Sequence, residues 1–173
     1  MNKQRPNRSW VPVETLKAIR RNHGIEHGVV TVLLEQGVSS PIGGNGTSGG
    51  FYIYGNVSTE QVGAAAKEAL LRMRAGEREL AISPHCGTNI VVAAGIAALF
   101  SFIPTWRSKS KRPKFSSFML GALASAVMGR SLGAAVQRRF TTLAEVEEVE
   151  ILSIRRFTLG PLTIHRFETS QPF

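Results

Sequence analysis

The chain has 173 residues, a length that corresponds to one domain. Its formal net charge of +9 favours anionic partners such as phospholipid head groups or nucleic acid. It contains no Asp, so an EF-hand or a binuclear metal site built on Asp is excluded. Its single cysteine excludes an intrachain disulfide and a zinc knuckle made of several cysteines.

The first predicted element is a long helix from about Val13 to Gln36. Pro12 suits the first helical position and Gly37 suits the stop. Between them, one stripe recurs at three- and four-residue spacing and should face the core or a cleft. It contains Leu16, Ile19, His23, His27, Val30 and Leu34.

Within this helix the residues His23 to His27 read His-x-x-Glu-His. Residues four apart share a helix face, so His23 and His27 point the same way, with Glu26 in the same arc. Two such imidazoles can share one metal ion, and the carboxylate can take a proton from metal-bound water. This order of residues is the inverzincin signature. The alternative is a buried His/Glu hydrogen-bond network without metal.

The next segment, Ser39 to Gly50, is rich in glycine and is predicted to be a mobile loop, able to act as a flap over the site. It lacks the Lys-Ser/Thr pair of a phosphate-binding loop. A short strand at Phe51 to Tyr54 follows. A capping box at Ser58 then predicts a helix over Thr59 to Arg74, and a second short strand is predicted at Leu80 to Ile82.

His85 and Cys86 are adjacent and immediately precede an apolar run that should be helical. A thiol at a helix N-terminus has its thiolate form favoured by the helix dipole. A mononuclear zinc site needs three protein ligands, so either residue is a candidate third ligand beside His23 and His27. The alternatives are a turn histidine and a small buried cysteine. Weaker ligand candidates are Glu35, Glu77 and Glu79.

Two uncharged apolar runs follow, Ile90 to Ile103 and Phe115 to Met128, the second extending to Val136 if Arg130 is tolerated. Both are rich in Gly, Ala and Ser, which suits helices packed closely in lipid. A tandem pair in so small a chain favours a membrane hairpin over a soluble core hairpin. A re-entrant or interfacial pair is the remaining membrane alternative.

The connector at residues 105–114 is strongly basic and is predicted to bind anionic lipid head groups. The positive-inside rule would place it in the cytoplasm, whereas the basic arm Met1 to Arg8 argues for the opposite orientation. The membrane side of the soluble part therefore stays open. The basic residues of this connector are Arg107, Lys109, Lys111, Arg112 and Lys114.

The C-terminal segment predicts a β-hairpin with strands over Glu148 to Phe157 and Pro161 to Glu168, in which His165 is interpreted as a surface or edge residue. The fold class is therefore α+β. We expect three regions: residues 1–87 with the candidate metal motif, residues 88–137 as the membrane hairpin, and residues 138–173 as a β-hairpin packed on the first region.

The His-Gly-Ile-Glu-His motif at residues 23–27, together with Cys86-Gly87-Thr88, resembles uncharacterised bacterial membrane proteins described as predicted metal-dependent enzymes, the YqhQ-like family. A smaller domain of unknown function from cyanobacteria and Chloroflexi is similar in length and layout. The resemblance implies a bacterial cell membrane and a metal, but no substrate. The family's histidine stands three residues before its cysteine, where this chain has Ser83.

These observations predict a membrane-associated, metal-dependent hydrolase of peptidase type, with zinc or another divalent ion. In it Glu26 is the general base, and His23, His27 and either His85 or Cys86 are the ligands. The alternative is a non-catalytic membrane scaffold or assembly protein whose His/Glu/Cys cluster is structural. Such a protein would bind itself or another membrane protein. Nucleic acid is a weak candidate partner, because the basic residues are not interleaved with stacking aromatic residues.

Overall fold

The structure is a computed structural model that describes residues 11–39, 41–105 and 115–171. The basic arm Met1 to Arg8 and nearly all of the basic connector lie outside these ranges. The helices are α1 Val11–Glu35, α2 Thr59–Arg74, α3 Gly87–Phe102 and α4 Phe115–Val136; the strands are β1 Gly43–Thr47, β2 Gly50–Tyr54, β3 Ile151–Leu159 and β4 Leu162–Thr169. This α+β composition confirms the predicted fold class, and α1 and α2 confirm the two predicted helices.

The chain forms two compact units. The first contains residues 1–81 and 142–173, and the second contains residues 82–141. The first unit is built on an antiparallel sheet of strand order β1-β2-β4-β3. Apolar residues of α1 and α2 form one core with the inner face of that sheet, where Phe51 and Phe167 stack with ring centroids 4.4 Å apart. The C-terminal hairpin thus supplies a central and an edge strand.

Helix α2 begins as its sequence predicts, because the Ser58 side chain accepts a hydrogen bond from the backbone N–H of Gln61. Its small residues Ala65, Ala66 and Ala69 are fully buried. Small side chains let α2 lie close to α1, which brings Gly28 of α1 against Ala69.

Two local predictions are wrong. The glycine-rich segment is not a loop throughout, because Gly43–Thr47 pairs with Gly50–Tyr54 as an edge strand of the sheet. Leu80 and Ala81 do not form a strand but belong to a short 3₁₀-helix, Arg78–Ala81, in which the Leu80 N–H donates to the Glu77 carbonyl at 3.2 Å. This turn buries both apolar side chains without a partner strand.

His165 is also not the surface residue that the sequence suggested. It is fully buried, because β4 lies between β2 and β3 and turns Thr163, His165 and Phe167 toward the helices. Its Nε2 atom lies 3.3 Å from the hydroxyl of Thr59, at the start of α2. Burial lowers the pKa of His165, and the nearby guanidinium of Arg156 lowers it further while Glu60 opposes the shift.

We expect the stability of the protein to fall as the pH drops below the ordinary histidine pKa of 6.5. The folded His165 has the lower pKa, so in that range the unfolded chain binds more protons and unfolding becomes easier. Above pH 6.5 the neutral His165 contributes fully to the stability of the folded protein. Thermal unfolding followed by circular dichroism from pH 7.5 to pH 5 should show this loss.

The control for this effect is the His165→Leu variant, whose unfolding midpoint should depend less on pH over the same range. The difference in pH dependence between the wild type and this variant is the contribution of His165, separated from that of the other titrating groups. An identical pH dependence in both would contradict the assignment.

The second unit is a helical hairpin whose small residues face inward. Gly121 and Gly133 of α4 are buried. An added Cβ would clash with the Ala97 carbonyl oxygen at Gly121 and with Asn89 Oδ1 at Gly133, both on α3. The large apolar side chains point outward instead. The most exposed of them are Ile90, Val91, Phe115, Leu123, Val127 and Phe140, at 63–79%.

Among the residues that the structure describes, one helical stretch, Phe115–Thr141, is long and apolar enough by length and composition to cross a membrane. Only 17% of its most apolar window is buried. Helix α3 has 16 residues, which is shorter than the roughly 20 that a spanning helix needs. The expectation of two spanning helices is therefore reduced to one candidate span and one shorter apolar helix.

Candidate metal centre

The His-x-x-Glu-His motif lies on one face of α1. The rings of His23 and His27 are 4.4 Å apart between centroids. Glu26 Oε2 lies 3.9 Å from His23 Nε2 and 3.7 Å from His27 Nε2. Both distances are ion-pair contacts, longer than a direct hydrogen bond. The helical spacing predicted from the sequence thus produces the expected cluster of two imidazoles and one carboxylate.

Burial differs across this cluster. The side chains of Glu26 and His27 are 5% and 3% exposed, whereas that of His23 is 21% exposed. The site is therefore open on the His23 side and closed around Glu26. A carboxylate held in such surroundings interacts with nearby charges more strongly than one in water.

The orientation of His27 is fixed by a backbone group. Its Nδ1 atom lies 2.8 Å from the carbonyl oxygen of Ala81, the last residue of the 3₁₀-helix. A carbonyl only accepts, so Nδ1 carries the proton and donates it. The remaining nitrogen, Nε2, then holds its lone pair toward Glu26. Metal-binding histidines are commonly held in this way by a second hydrogen bond.

Strand β1 lies directly against this face of α1. An added Cβ at Gly44 would lie 2.6 Å from both Cγ and Oε1 of Glu26, and one at Gly46 would lie 2.5 Å from the backbone nitrogen of His23. Any larger residue would displace the helix or the strand. Gly44 and Gly46 are thus required by close packing. Because these residues have no side chains, the sequence shows no strand pattern here.

Asn22, next to His23, was not singled out from the sequence although it is fully buried. Its Nδ2 donates to the Thr47 carbonyl at 2.8 Å, and its Oδ1 accepts from the Thr169 hydroxyl at 2.8 Å and from Gln171 Nε2 at 3.1 Å. One amide therefore joins α1 to the end of β1 and to the end of β4. These bonds hold the first turn of the motif at a fixed place on the sheet.

The outer side of β1 and β2 carries a further polar contact. The Tyr54 hydroxyl donates to Asn45 Oδ1 across the two strands. Burial raises the pKa of Tyr54, and Tyr52 and the negative charge of Glu26 raise it further. Tyr54 therefore stays protonated at neutral pH and keeps β1 bound to β2 beside the site.

His85 and Cys86 belong to the second unit. Cys86 is the N-cap of α3, is 8% exposed, and accepts a hydrogen bond at Sγ from the Thr88 N–H at 3.4 Å. His85 is exposed in the preceding turn, and its backbone N–H donates to the Ser83 hydroxyl at 3.2 Å. The predicted helix N-terminus at this cysteine is confirmed.

The turn that carries His85 and Cys86 is held by the buried side chain of Gln137. Its Oε1 accepts from the Ser83 N–H at 2.9 Å, and its Nε2 donates to the Ser83 carbonyl at 3.0 Å and to Asn89 Oδ1 at 2.7 Å. Asn89 Nδ2 in turn donates to the carbonyls of Ser83 and Pro84. The end of α4 therefore fixes the backbone just before Cys86, which no sequence motif indicated.

The comparisons with known proteins agree with part of the resemblance seen in the sequence. The family described as a domain of unknown function, DUF6391, matches residues 18–154. An uncharacterised protein of Picosynechococcus sp. strain PCC 7002 is 34% identical over 145 residues, which is 77% of this chain and 70% of that protein. No solved structure matches. The likeness to a domain of unknown function is thereby confirmed, while the likeness to the YqhQ-like proteins stays a prediction.

Proposed function

Since the chain belongs to the DUF6391 family of domains of unknown function, we propose from its own residues that it is a membrane-associated, metal-dependent hydrolase of peptidase type. In this proposal His23 and His27 bind a divalent ion through Nε2. Glu26 removes a proton from the attacking water. Zinc is the ion that best suits imidazole ligands with tetrahedral geometry.

The observation that carries the proposal is the arrangement around Glu26 Oε2. Two imidazole nitrogens lie 3.7 and 3.9 Å from it, and the nearer imidazole is fixed by the Ala81 carbonyl. Two imidazoles and a carboxylate on one helix face are the groups that a mononuclear hydrolytic site combines. His23 and His27 would hold the ion, and Glu26 would lie beside it.

The role of Glu26 as general base follows from its burial and its neighbours. A carboxylate close to a bound cation stays ionised, and its burial keeps bulk water from screening it. A bound divalent ion would supply an acidified water, and Glu26 would accept the proton from it. Glu26 is the acidic residue that α1 places between the two imidazoles.

For the third ligand we propose Cys86, with His85 as the alternative. Cys86 follows Ala81 by five residues, and five residues of chain span at most about 18 Å. Its position at the N-terminus of α3 favours the thiolate, which is the metal-binding form. His85 is exposed and lies one residue before this helix N-cap.

A peptide substrate is supported by the position of β1. This strand is at the edge of the sheet, and its glycines lie against Glu26 and His23. Extended peptides add to exposed sheet edges through main-chain hydrogen bonds. A peptide bound along β1 would therefore run past the proposed metal. Membrane association rests on α4 and on the outward-facing apolar residues of the second unit.

The test is metal content by mass spectrometry on reduced, detergent-purified protein. About one zinc per chain is expected in the wild type and none in the His23→Ala/His27→Ala variant, because two of three ligands are removed. Cys86→Ser should bind zinc more weakly, and His85→Ala should bind it normally. Circular dichroism confirms that each variant is folded.

A wild-type protein that holds no zinc or other divalent ion after reloading would overturn the proposal. A protein whose zinc has four protein ligands and no water would favour the scaffold or assembly role, because a closed site leaves no position for substrate. X-ray absorption at the zinc edge distinguishes these two coordination states.

A further inference from the structure

The far end of the β3–β4 hairpin, in the first unit, exposes large apolar side chains. Leu159 is 70% exposed, Phe157 is 49% exposed and Leu162 is 39% exposed. The turn between the strands is Gly160-Pro161, and Gly160 adopts a positive φ of 58°. We call residues 157–164 the hairpin tip.

The strand register arranges the tip in rows across the outer face of the sheet. Leu159 pairs with Leu162, and Phe157 pairs with Ile164. The next row on the same face is Arg155 opposite Arg166. Rows on one face are two residues apart, or about 7 Å, so the arginines stand roughly 13 Å behind the leucines.

The arginine row carries net positive charge. Arg155 and Arg166 share one acidic neighbour, since Glu168 Oε1 lies 3.3 Å from the first guanidinium and 3.9 Å from the second. The Arg166 guanidinium also lies 5.8 Å from the centre of the Tyr52 ring. The hairpin tip thus has an apolar edge, and behind it lie two cations, one carboxylate and an aromatic ring. Elements at a membrane interface show the same order of side chains.

We propose that the hairpin tip inserts into the head-group region of an anionic lipid bilayer. The two apolar rows cover the depth of about 5–10 Å to which interfacial elements enter the boundary between head groups and acyl chains. The arginine row then lies level with the lipid phosphates, and its charge complements them. This contact is separate from the candidate span α4 and from the proposed metal site.

A bilayer fits the tip better than a nucleic acid does. Leucine side chains at the leading edge offer no ring on which a base can stack, and no cation precedes them to contact a phosphate. The single carboxylate, Glu168, lies one row behind the arginines and so does not face the lipid.

The experiment places a fluorescent reporter at the tip of the full-length protein. Leu159→Trp is made in a Trp10→Phe/Trp106→Phe background and reconstituted in nanodiscs with brominated lipid and about one third anionic lipid. The matched control is Ser153→Trp, which lies on the same strand face three rows from the tip.

The expected result is emission from the Leu159→Trp protein that is shifted to the blue and quenched at least twice as strongly as that of the Ser153→Trp protein. Quenching should be strongest with bromine near the glycerol end of the acyl chain. Equal quenching at both sites, or solvent-like emission at the tip, would overturn the proposal.

A second pair of samples tests the charge contribution. The blue shift and quenching of the Leu159→Trp protein should weaken in nanodiscs of phosphatidylcholine alone. They should also weaken in anionic nanodiscs when Arg155→Gln/Arg166→Gln is added to that protein. Each arginine at an anionic surface contributes about fivefold in affinity. A tip signal that is independent of both changes would contradict the role of anionic head groups.

Discussion

Replacing Glu26 by glutamine is expected to lower hydrolytic turnover by about two to four orders of magnitude, the usual contribution of a general base, while zinc content stays close to that of the wild type. Glutamine keeps the length and shape of the side chain but cannot accept the proton. Turnover is measured with a mixture of quenched fluorescent peptides, and zinc by mass spectrometry on the same samples.

The control is Glu148→Gln, which removes one negative charge at an exposed position and should change neither quantity. If Glu26→Gln loses its zinc, Glu26 is a ligand instead of the base. If it retains full turnover, the carboxylate takes no part in the reaction. Each outcome points to a different role for the same residue, so the measurement of metal and turnover together is decisive.

The second large effect is expected at Gly46. An added Cβ there would lie 2.5 Å from the His23 backbone nitrogen and 2.8 Å from its Cα, both atoms of a helix that cannot yield as a side chain can. Gly46→Ala should therefore destabilise the folded protein by about 1–3 kcal/mol, as overpacked substitutions do. Zinc affinity should fall by about 10- to 100-fold, because His23 moves from its supported position.

Gly43→Ala in the same strand is a matched control. An added Cβ at Gly43 would meet nothing within 4 Å, and the residue has no positive φ. It should leave the urea midpoint and zinc affinity unchanged. Equal behaviour of the two variants would show that the packing of β1 on α1 does not position His23.

The regular helices were accessible from the sequence because their signals are local. The stripe through His23 and His27 has the helical period, and Ser58 is a strong N-cap, so α1 and α2 follow from neighbouring residues. The motif cluster follows from the same period. That His23, Glu26 and His27 share one face depends only on α1 being a helix.

The remaining features depend on contacts between distant segments. Strand β1 has no apolar alternation, and packing against α1 explains Gly44 and Gly46. The inward direction of His165 depends on β4 becoming a central strand, because Ile164 and His165 could each have faced the core. The support of His27 by Ala81 and of Ser83 by Gln137 spans 54 residues in each case.

The order of strands in the sheet also dictates when the protein can complete its first unit. β2 has β1 on one side and β4 on the other, and β4 is synthesised after the whole second unit. When the chain on the ribosome has been synthesised as far as α4, only β1 and β2 of the four strands are present. A two-stranded hairpin is only marginally stable by itself. Asn22 still lacks Thr169 at that moment. The apolar helices are thus synthesised before Asn22 can bond to Thr169, and assembly of the site waits until β4 has been made.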